Sequence, residues 1–259
     1  VNHPDVADYD LSSIRDIAFG ASPMPEAVLQ TALRVIPNAE FHHVYGQTEA
    51  APVLTALPAN RMVNDGPLAG KIKSAGLAVP GLEVKIFDEN DVEVPRNVVG
   101  EIVAQGENVM LGYWNQPEMT ATTLRNGWLH TGDGGYMDAD GFIYVVDRVK
   151  DMIISGGENV YSAEVEDAIY QHPDVVECAV IGIPHEKWGE QVHAIIRLSE
   201  AGAVDEAAII AHCHEWIANY KCPRSVSFET EPLPLSGAGK ILKTELRKPY
   251  WAGHAKQVN

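Results

Sequence analysis

Few patterns limit a fold more tightly than a strand, a helix and a second strand in immediate succession, and this chain has all three within its first 46 residues. Ile14-Arg15-Asp16-Ile17-Ala18-Phe19 is a short strand-like run that stops at Gly20. Residues 25–35 carry apolar side chains at helical spacing behind Pro25, and 40–45 form a second strand-like run that stops at Gly46. Strands joined through a crossover helix lie parallel, so a parallel sheet is expected. Ligands of such sheets gather beyond the carboxyl ends of the strands. There stand Gly20-Ala21-Ser22-Pro23 and Gly46-Gln47-Thr48-Glu49, two expected walls of a site.

The texture changes after residue 66. Short β-rich runs at 82–88, 100–105, 127–130 and 142–146, separated by glycine, proline and acidic turns, predict a small antiparallel barrel or sandwich. Asp138-Ala139-Asp140-Gly141 reads as a tight hairpin turn. From residue 147 strands and helices alternate again, with helices predicted at 162–171 and 205–218 and strands at 175–183, 191–198 and 225–228, before a last short helix. Ser162 is expected to cap the first of those helices, with Glu164 in its first turn.

Chemistry-bearing residues crowd between Trp128 and Glu166. Asp133 stands in what reads as a glycine-rich turn, where its carboxylate could accept from ligand hydroxyls, and Arg148 follows a predicted strand with a rigid fork of donors. Gly156-Gly157 lets a backbone approach a thin ligand closely. The chain carries 19 Lys+Arg against 36 Asp+Glu, a net charge of −17, which argues against nucleic acid and anionic membranes as partners. A phosphate site must then be built locally, from backbone N–H groups, single cations such as Arg148, Lys150 and Lys240, or a bound metal. Cys178, Cys213 and Cys222 form no Cys-x-x-Cys pair, no apolar run is long enough to span a bilayer, and no signal peptide stands at the start, so a cytoplasmic setting is expected. His212-Cys213-His214 reads as ordinary helix, since residues two apart diverge on a helix. Gly239-Lys240 is no nucleotide P-loop, for no glycine lies five before Gly239 and Ile241 replaces the needed Ser/Thr.

Taken as a set, Tyr45-Gly46-Gln47-Thr48-Glu49, Gly100-Glu101-Ile102, Gly112-Tyr113-Trp114, Thr131-Gly132-Asp133, Asp147-Arg148, Gly156-Gly157-Glu158-Asn159 and Ser236-Gly237-Ala238-Gly239-Lys240 resemble the adenylate-forming enzymes. The acyl-CoA synthetase branch, with its fatty-acid and 4-coumarate ligases, is the nearest, and the resemblance covers essentially all 259 residues. It implies an α/β portion plus a β-barrel remnant of the large adenylate-forming domain, followed by a small mobile α+β C-terminal domain. The matching boundaries are 1–65, 66–147 and 148–259.

It also implies a reaction in which a carboxylate attacks the α-phosphate of ATP, giving acyl-adenylate and pyrophosphate, after which coenzyme A displaces AMP. By that resemblance Gly20, Ala21, Ser22, Tyr45, Gly46, Gln47, Thr48, Asp133 and Arg148 bind the nucleotide, with Tyr45 on the adenine and Asp133 and Arg148 at the ribose. Thr48 bonds phosphate, Glu49 holds Mg²⁺, Lys240 is the catalytic lysine, Lys150 is the hinge, and Gly156, Gly157 and Glu158 line the coenzyme A tunnel. Trp188-Gly189-Glu190 matches a further signature.

The sequence departs from the pattern at Ala238, where Ser or Thr is usual, and at Ser162, where proline is common. The family's glycine- and Ser/Thr-rich phosphate loop is not among these residues. The chain is therefore expected to be the C-terminal portion of an AMP-forming acid–thiol ligase, inactive in adenylation without the N-terminal half of the same enzyme. Its expected partners are a small carboxylate such as a fatty acid, ATP and coenzyme A, with a homodimer allowed. A peptide-synthetase adenylation domain, a luciferase-like oxidase and a non-catalytic nucleotide-binding fragment are the alternatives.

Overall fold

The computed structural model describes residues 1, 3, 5–20, 24, 26–61, 70–199, 204–237 and 239–254. It divides into two compact units, Val1–Val146 and Asp147–Asn259.

In the first unit, β1 (Asp16–Gly20) and β2 (Glu40–Tyr45) run parallel, Asp16 opposite Glu40 and Gly20 opposite Val44, with α1 (Glu26–Val35) between them in the chain. Leu29, Ala32 and Ile36 recur at helical spacing and are buried against Phe41 and Ile72, which is what holds the helix on the sheet. The chain then turns back antiparallel through β3 (Thr55–Leu57) and β4 (Leu77–Ala78), completing a four-stranded sheet. Gly20 and Gly46, at the two strand ends, are both forced by close backbone. A Cβ on Gly20 would lie 1.9 Å from the Val44 carbonyl oxygen, and one on Gly46 would lie 2.0 Å from that of Pro52.

A second, five-stranded sheet follows. β5 (Leu82–Phe87), β6 (Gly100–Gly106), β7 (Leu124–Arg125), β8 (Trp128–Met137) and β9 (Ile143–Arg148) are ordered β5-β6-β8-β7, with β9 also on β8. A short helix not foreseen from the sequence, α2 (Pro117–Thr123), precedes β7. Val84, Ile86, Ile102, Ala104, Leu129, Met137 and Ile143 point to one core, and Ala50 and Leu54 from the loop after β2 pack into it. That burial anchors the Gly46–Glu49 segment on the second sheet. The turn at Asp138 is as expected. The Asp138 carboxylate accepts from the Asp140 and Phe142 amides, and Gly141 takes φ 87°.

The second unit centres on the hairpin of β12 (Val175–His185) and β13 (Gly189–Leu198). The short β10 (Ile153–Ser155), paired with β11 (Glu158–Val160), and the parallel β14 (Ser225–Glu229) complete its sheet alongside β13. One face packs Cys178, Val180, Ala194 and Ile196 with Val165 and Ile169 of α3 (Ser162–Tyr170) and Ile209 and Cys213 of α4 (Glu206–Trp216). The other packs Ala179, Ile181 and Ile195 with Leu233, Ile241 and Leu246, the last on α5 (Lys243–Trp251). Coverage on both faces explains why these two strands read as nearly continuous apolar runs.

Ser162 is not the cap of α3. Tyr161 holds that position, and Ser162 is the first helical residue. Its amide and hydroxyl both donate to the Asp147 carboxylate, the hydroxyl at 2.6 Å, and Lys243 Nζ donates to the same hydroxyl at 2.5 Å. Lys243 also pairs with Glu166 at 2.7 Å. A distant carboxylate thus satisfies the helix start that the sequence assigns to a serine side chain.

His193, buried on β13, bonds Ser225 Oγ through Nδ1 at 2.7 Å and the Tyr250 hydroxyl through Nε2 at 2.9 Å. Burial holds its imidazole below the usual range, only partly offset by Glu206 and Ser225. Its stabilising contribution is therefore complete above about pH 6.5, the unfolded value, and is lost as pH falls through that value toward the lower folded one. Melting measured at stepped pH from neutral downward is expected to show a steeper acid loss in the wild type than in His193→Gln. Equal slopes would contradict this assignment.

Candidate functional site

Tyr45 is the last residue of β2, and its hydroxyl donates to Asp133 Oδ2 at 2.8 Å. The bond joins the two sheets of the first unit and is charge-assisted, a class that contributes about 2 kcal/mol.

Asp133 does not lie in a turn. It stands inside β8, at a bulge where Glu101 pairs Gly134 and Val103 pairs His130, so Thr131, Gly132 and Asp133 together face only Ile102. Such bulges re-aim side chains at the cost of unpaired backbone groups, and here three of those groups have a local side-chain partner. Thr131 Oγ1 donates to the Ile102 carbonyl at 2.6 Å and accepts from the Asp133 amide at 3.1 Å. The Gly132 amide donates to Glu101 Oε1 at 3.0 Å. Gly132 adopts φ 72°, a conformation glycine enters without a Cβ penalty. The Thr-Gly-Asp order is thus the order the bulge requires. Glu101 also meets His130 Nδ1 at 2.8 Å, which braces the bulge from below.

Gln47, Thr48 and Glu49 follow β2 as a single 3-10 turn over Thr48–Ala50, with Thr48 exposed. Segment 108–113 pins that turn. Asn108 Nδ2 donates to the Ala50 and Val53 carbonyls at 2.6 and 3.3 Å, the Met110 amide donates to the Glu49 carbonyl at 2.8 Å, and the Tyr113 hydroxyl donates to Glu49 Oε1 at 2.6 Å. Burial, followed by the bond to Glu49, pushes the Tyr113 phenol above its usual range. Gly20 ends β1, while Ala21 and Ser22 lie outside the described residues.

The remaining expected residues belong to the second unit. Arg148 closes β9 and is exposed, and Lys150 sits exposed in a 3-10 turn, Val149–Asp151. Arg247 of α5 grips that turn, donating to the Lys150 carbonyl at 3.2 Å and to Asp151 Oδ1 at 2.9 Å. Gly156 and Gly157 are the two central residues of the β10–β11 hairpin, at φ 64° and 87°, the geometry of a tight turn for which paired glycines are favoured. They and Glu158 are exposed. Trp188 packs on that turn, stacked on His185 with Arg224 3.7 Å from its ring, and Glu190 Oε2 accepts from the Ile154 amide at 3.0 Å. Lys240 is exposed in a loop closed by a bridge between Leu235 and Ile241, and its amide bonds Ser236 Oγ at 3.1 Å.

A groove of about 700 Å³ lies in the second unit beside Trp188, Tyr250 and Trp251, and none of Tyr45, Glu49 and Asp133 lines it. Among the described residues one trio of ligand-type side chains converges, Asp16, Glu40 and His42. It stands at the amino-end half of β1 and β2, away from Tyr45. Glu101 and Tyr113 stand inside motifs without a role evident from sequence, their only signal an acid and a phenol each beside a glycine.

Tyr45 at a parallel-strand end, Asp133 on a bulged strand and the turn of Thr48 and Glu49 after β2 are thus held in the first unit by its own hydrogen bonds. Comparison with known proteins shows which family the chain resembles. The AMP-binding enzyme family model matches residues 1–114 and the AMP-binding enzyme C-terminal domain model matches residues 164–240. The chain is 43% identical over 248 residues to a feruloyl-CoA synthase of Amycolatopsis, covering 96% of this chain and 49% of that protein. The amide bond synthetase McbA of Marinactinospora thermotolerans superposes with a TM-score of 0.84 at 33% identity, over 96% of this chain and 50% of that one. The o-succinylbenzoate coenzyme A synthetase of Bacillus subtilis, solved with ATP and a magnesium ion, gives 0.79 at 34% identity, over 90% and 46%. The chain belongs to the AMP-binding, adenylate-forming enzyme family. It spans about half the length of the curated relatives it matches.

Thr131→Val keeps the side chain's shape and orphans the Ile102 carbonyl and the Asp133 amide, a loss of about 2 kcal/mol. Chemical denaturation is expected to show that loss, and a much smaller one for Thr131→Ser, which keeps the hydroxyl.

Proposed function

We propose that the chain is the nucleotide- and lysine-bearing portion of an AMP-forming acid–thiol ligase. In that reaction a carboxylate oxygen attacks the α-phosphorus of ATP, pyrophosphate leaves, and the sulfur of coenzyme A then displaces AMP from the acyl carbon. The observation that carries the reading is the bond between Tyr45 and Asp133, which sets an aromatic ring beside a carboxylate at the carboxyl end of a parallel strand. Adenine offers a flat face to such a ring. The ribose offers two adjacent hydroxyls that donate to one carboxylate.

The other roles follow the chemistry of the side chains. Exposed Thr48 offers a hydroxyl to phosphate, and Gly46 and Gln47 bring backbone to the nucleotide. Glu49 fits a hard divalent cation such as Mg²⁺, which asks for one or two protein carboxylates and completes its shell with water and substrate phosphate. Bound there, the cation would offset phosphate charge. Lys240, exposed on its loop, supplies a mobile ammonium suited to charge developing at the α-phosphate during adenylation. Arg148 supports the ribose. Lys150 serves as the pivot of a mobile small domain, and Gly156, Gly157 and Glu158 serve the coenzyme A pose.

The partners are then an organic acid, of the aromatic or fatty class for which such relatives are named, with ATP and coenzyme A. A cytoplasmic setting fits the three unpaired cysteines.

Titration of the 259-residue chain with AMP tests the core of this reading. Saturable binding is expected, weakened at least about tenfold by Asp133→Ala, the size of a lost bond to a charged group. No saturable binding, or an unchanged affinity in Asp133→Ala, would count against it.

A further inference from the structure

The loop that carries Tyr113 is held independently of Glu49. The Tyr113 amide donates to Thr120 Oγ1 at 2.9 Å, and that hydroxyl in turn donates to the Gln116 carbonyl at 2.8 Å. The same threonine side chain closes over the preceding glycine, since a Cβ on Gly112 would lie 2.8 Å from Thr120 Cγ2. Asn115 completes the loop at φ 52°. Tyr113 therefore reaches out from a braced loop, whereas Glu49 sits on one 3-10 turn with three side-chain torsions of its own. Left alone, a glutamate there samples many rotamers, and a ligand must bear the cost of choosing one. At 2.6 Å the bond from the phenol to Glu49 Oε1 is in the range of a hydroxyl–carboxylate pair, the strong class.

We propose that Tyr113 is a positioning residue for Glu49. It commits Oε1 to a fixed donor and presents Oε2 as the ligand atom for the divalent cation that accompanies the nucleoside triphosphate. The inference rests on the reading of Glu49 as the cation-binding carboxylate. Partners that orient a metal-binding carboxylate change metal affinity by about 10- to 100-fold when removed. The role is specific to the cation. AMP needs no cation at this carboxylate, so its affinity is independent of Tyr113.

The test is a titration of the full chain with Mn²⁺ at saturating ATP, followed by the electron paramagnetic resonance of the free ion, with AMP affinity measured in parallel. Tyr113→Phe is expected to weaken Mn²⁺ about tenfold while AMP affinity stays within about twofold. Thr120→Val, which keeps the phenol but frees its loop, is expected to weaken Mn²⁺ by a smaller factor in the same direction, and it serves if Tyr113→Phe does not fold. Unchanged Mn²⁺ affinity in both variants would overturn the positioning role, as would an equal loss of Mn²⁺ and AMP affinity, the mark of a merely structural contact. Failure of the underlying reading has a different signature: the wild type itself would bind AMP but no Mn²⁺, or Glu49→Gln would bind Mn²⁺ as well as the wild type.

Discussion

A strand that stays in its sheet while turning one carboxylate toward a neighbouring sheet has to give up pairing somewhere, and β8 does so at Thr131, Gly132 and Asp133. The surrounding arrangement follows from that concession. Gly132 supplies the positive φ, the Thr131 hydroxyl takes up the orphaned carbonyl of Ile102 and the amide of Asp133, and Glu101 accepts the remaining amide. With these three backbone groups answered, the bulge costs less, and Asp133 meets the hydroxyl of Tyr45 at the end of β2. That bond ties together two sheets of different topology.

The same device recurs a few residues along the chain. The Glu49 turn is held from 108–113 by Asn108, Met110 and Tyr113, while Ala50 and Leu54 are sunk in the core of the second sheet. Both carboxylates, Asp133 and Glu49, thus accept from a tyrosine hydroxyl and stand on backbone that is fastened elsewhere. In a chain of net charge −17, a fixed phenol donor gives each of these two carboxylates a defined orientation.

Much of this was legible in the residues because it rests on periodicity. The β1-α1-β2 unit showed itself through helical spacing between two short strand-like runs, and β12 and β13 through nearly continuous apolar stretches that suit a sheet covered on both faces. The motif residues Tyr45 and Asp133 were legible as chemistry. The bulge was not, because a register shift leaves no trace beyond a glycine, and so Asp133 read as a turn residue. Ser162 misled in the opposite way, for a serine at a helix start usually caps it, and here Asp147, fifteen residues earlier, does that work. Tyr113 stayed silent because its partner stands 64 residues away, and no local pattern connects a phenol to a carboxylate at that distance.

The proposed adenosine-binding corner of Tyr45 and Asp133 is best tested by an experimental structure of the chain with AMP bound. The adenine is expected against the Tyr45 ring, with both ribose hydroxyls within hydrogen-bonding distance of the Asp133 carboxylate. AMP seated elsewhere, with the Tyr45–Asp133 corner filled by solvent, would contradict it.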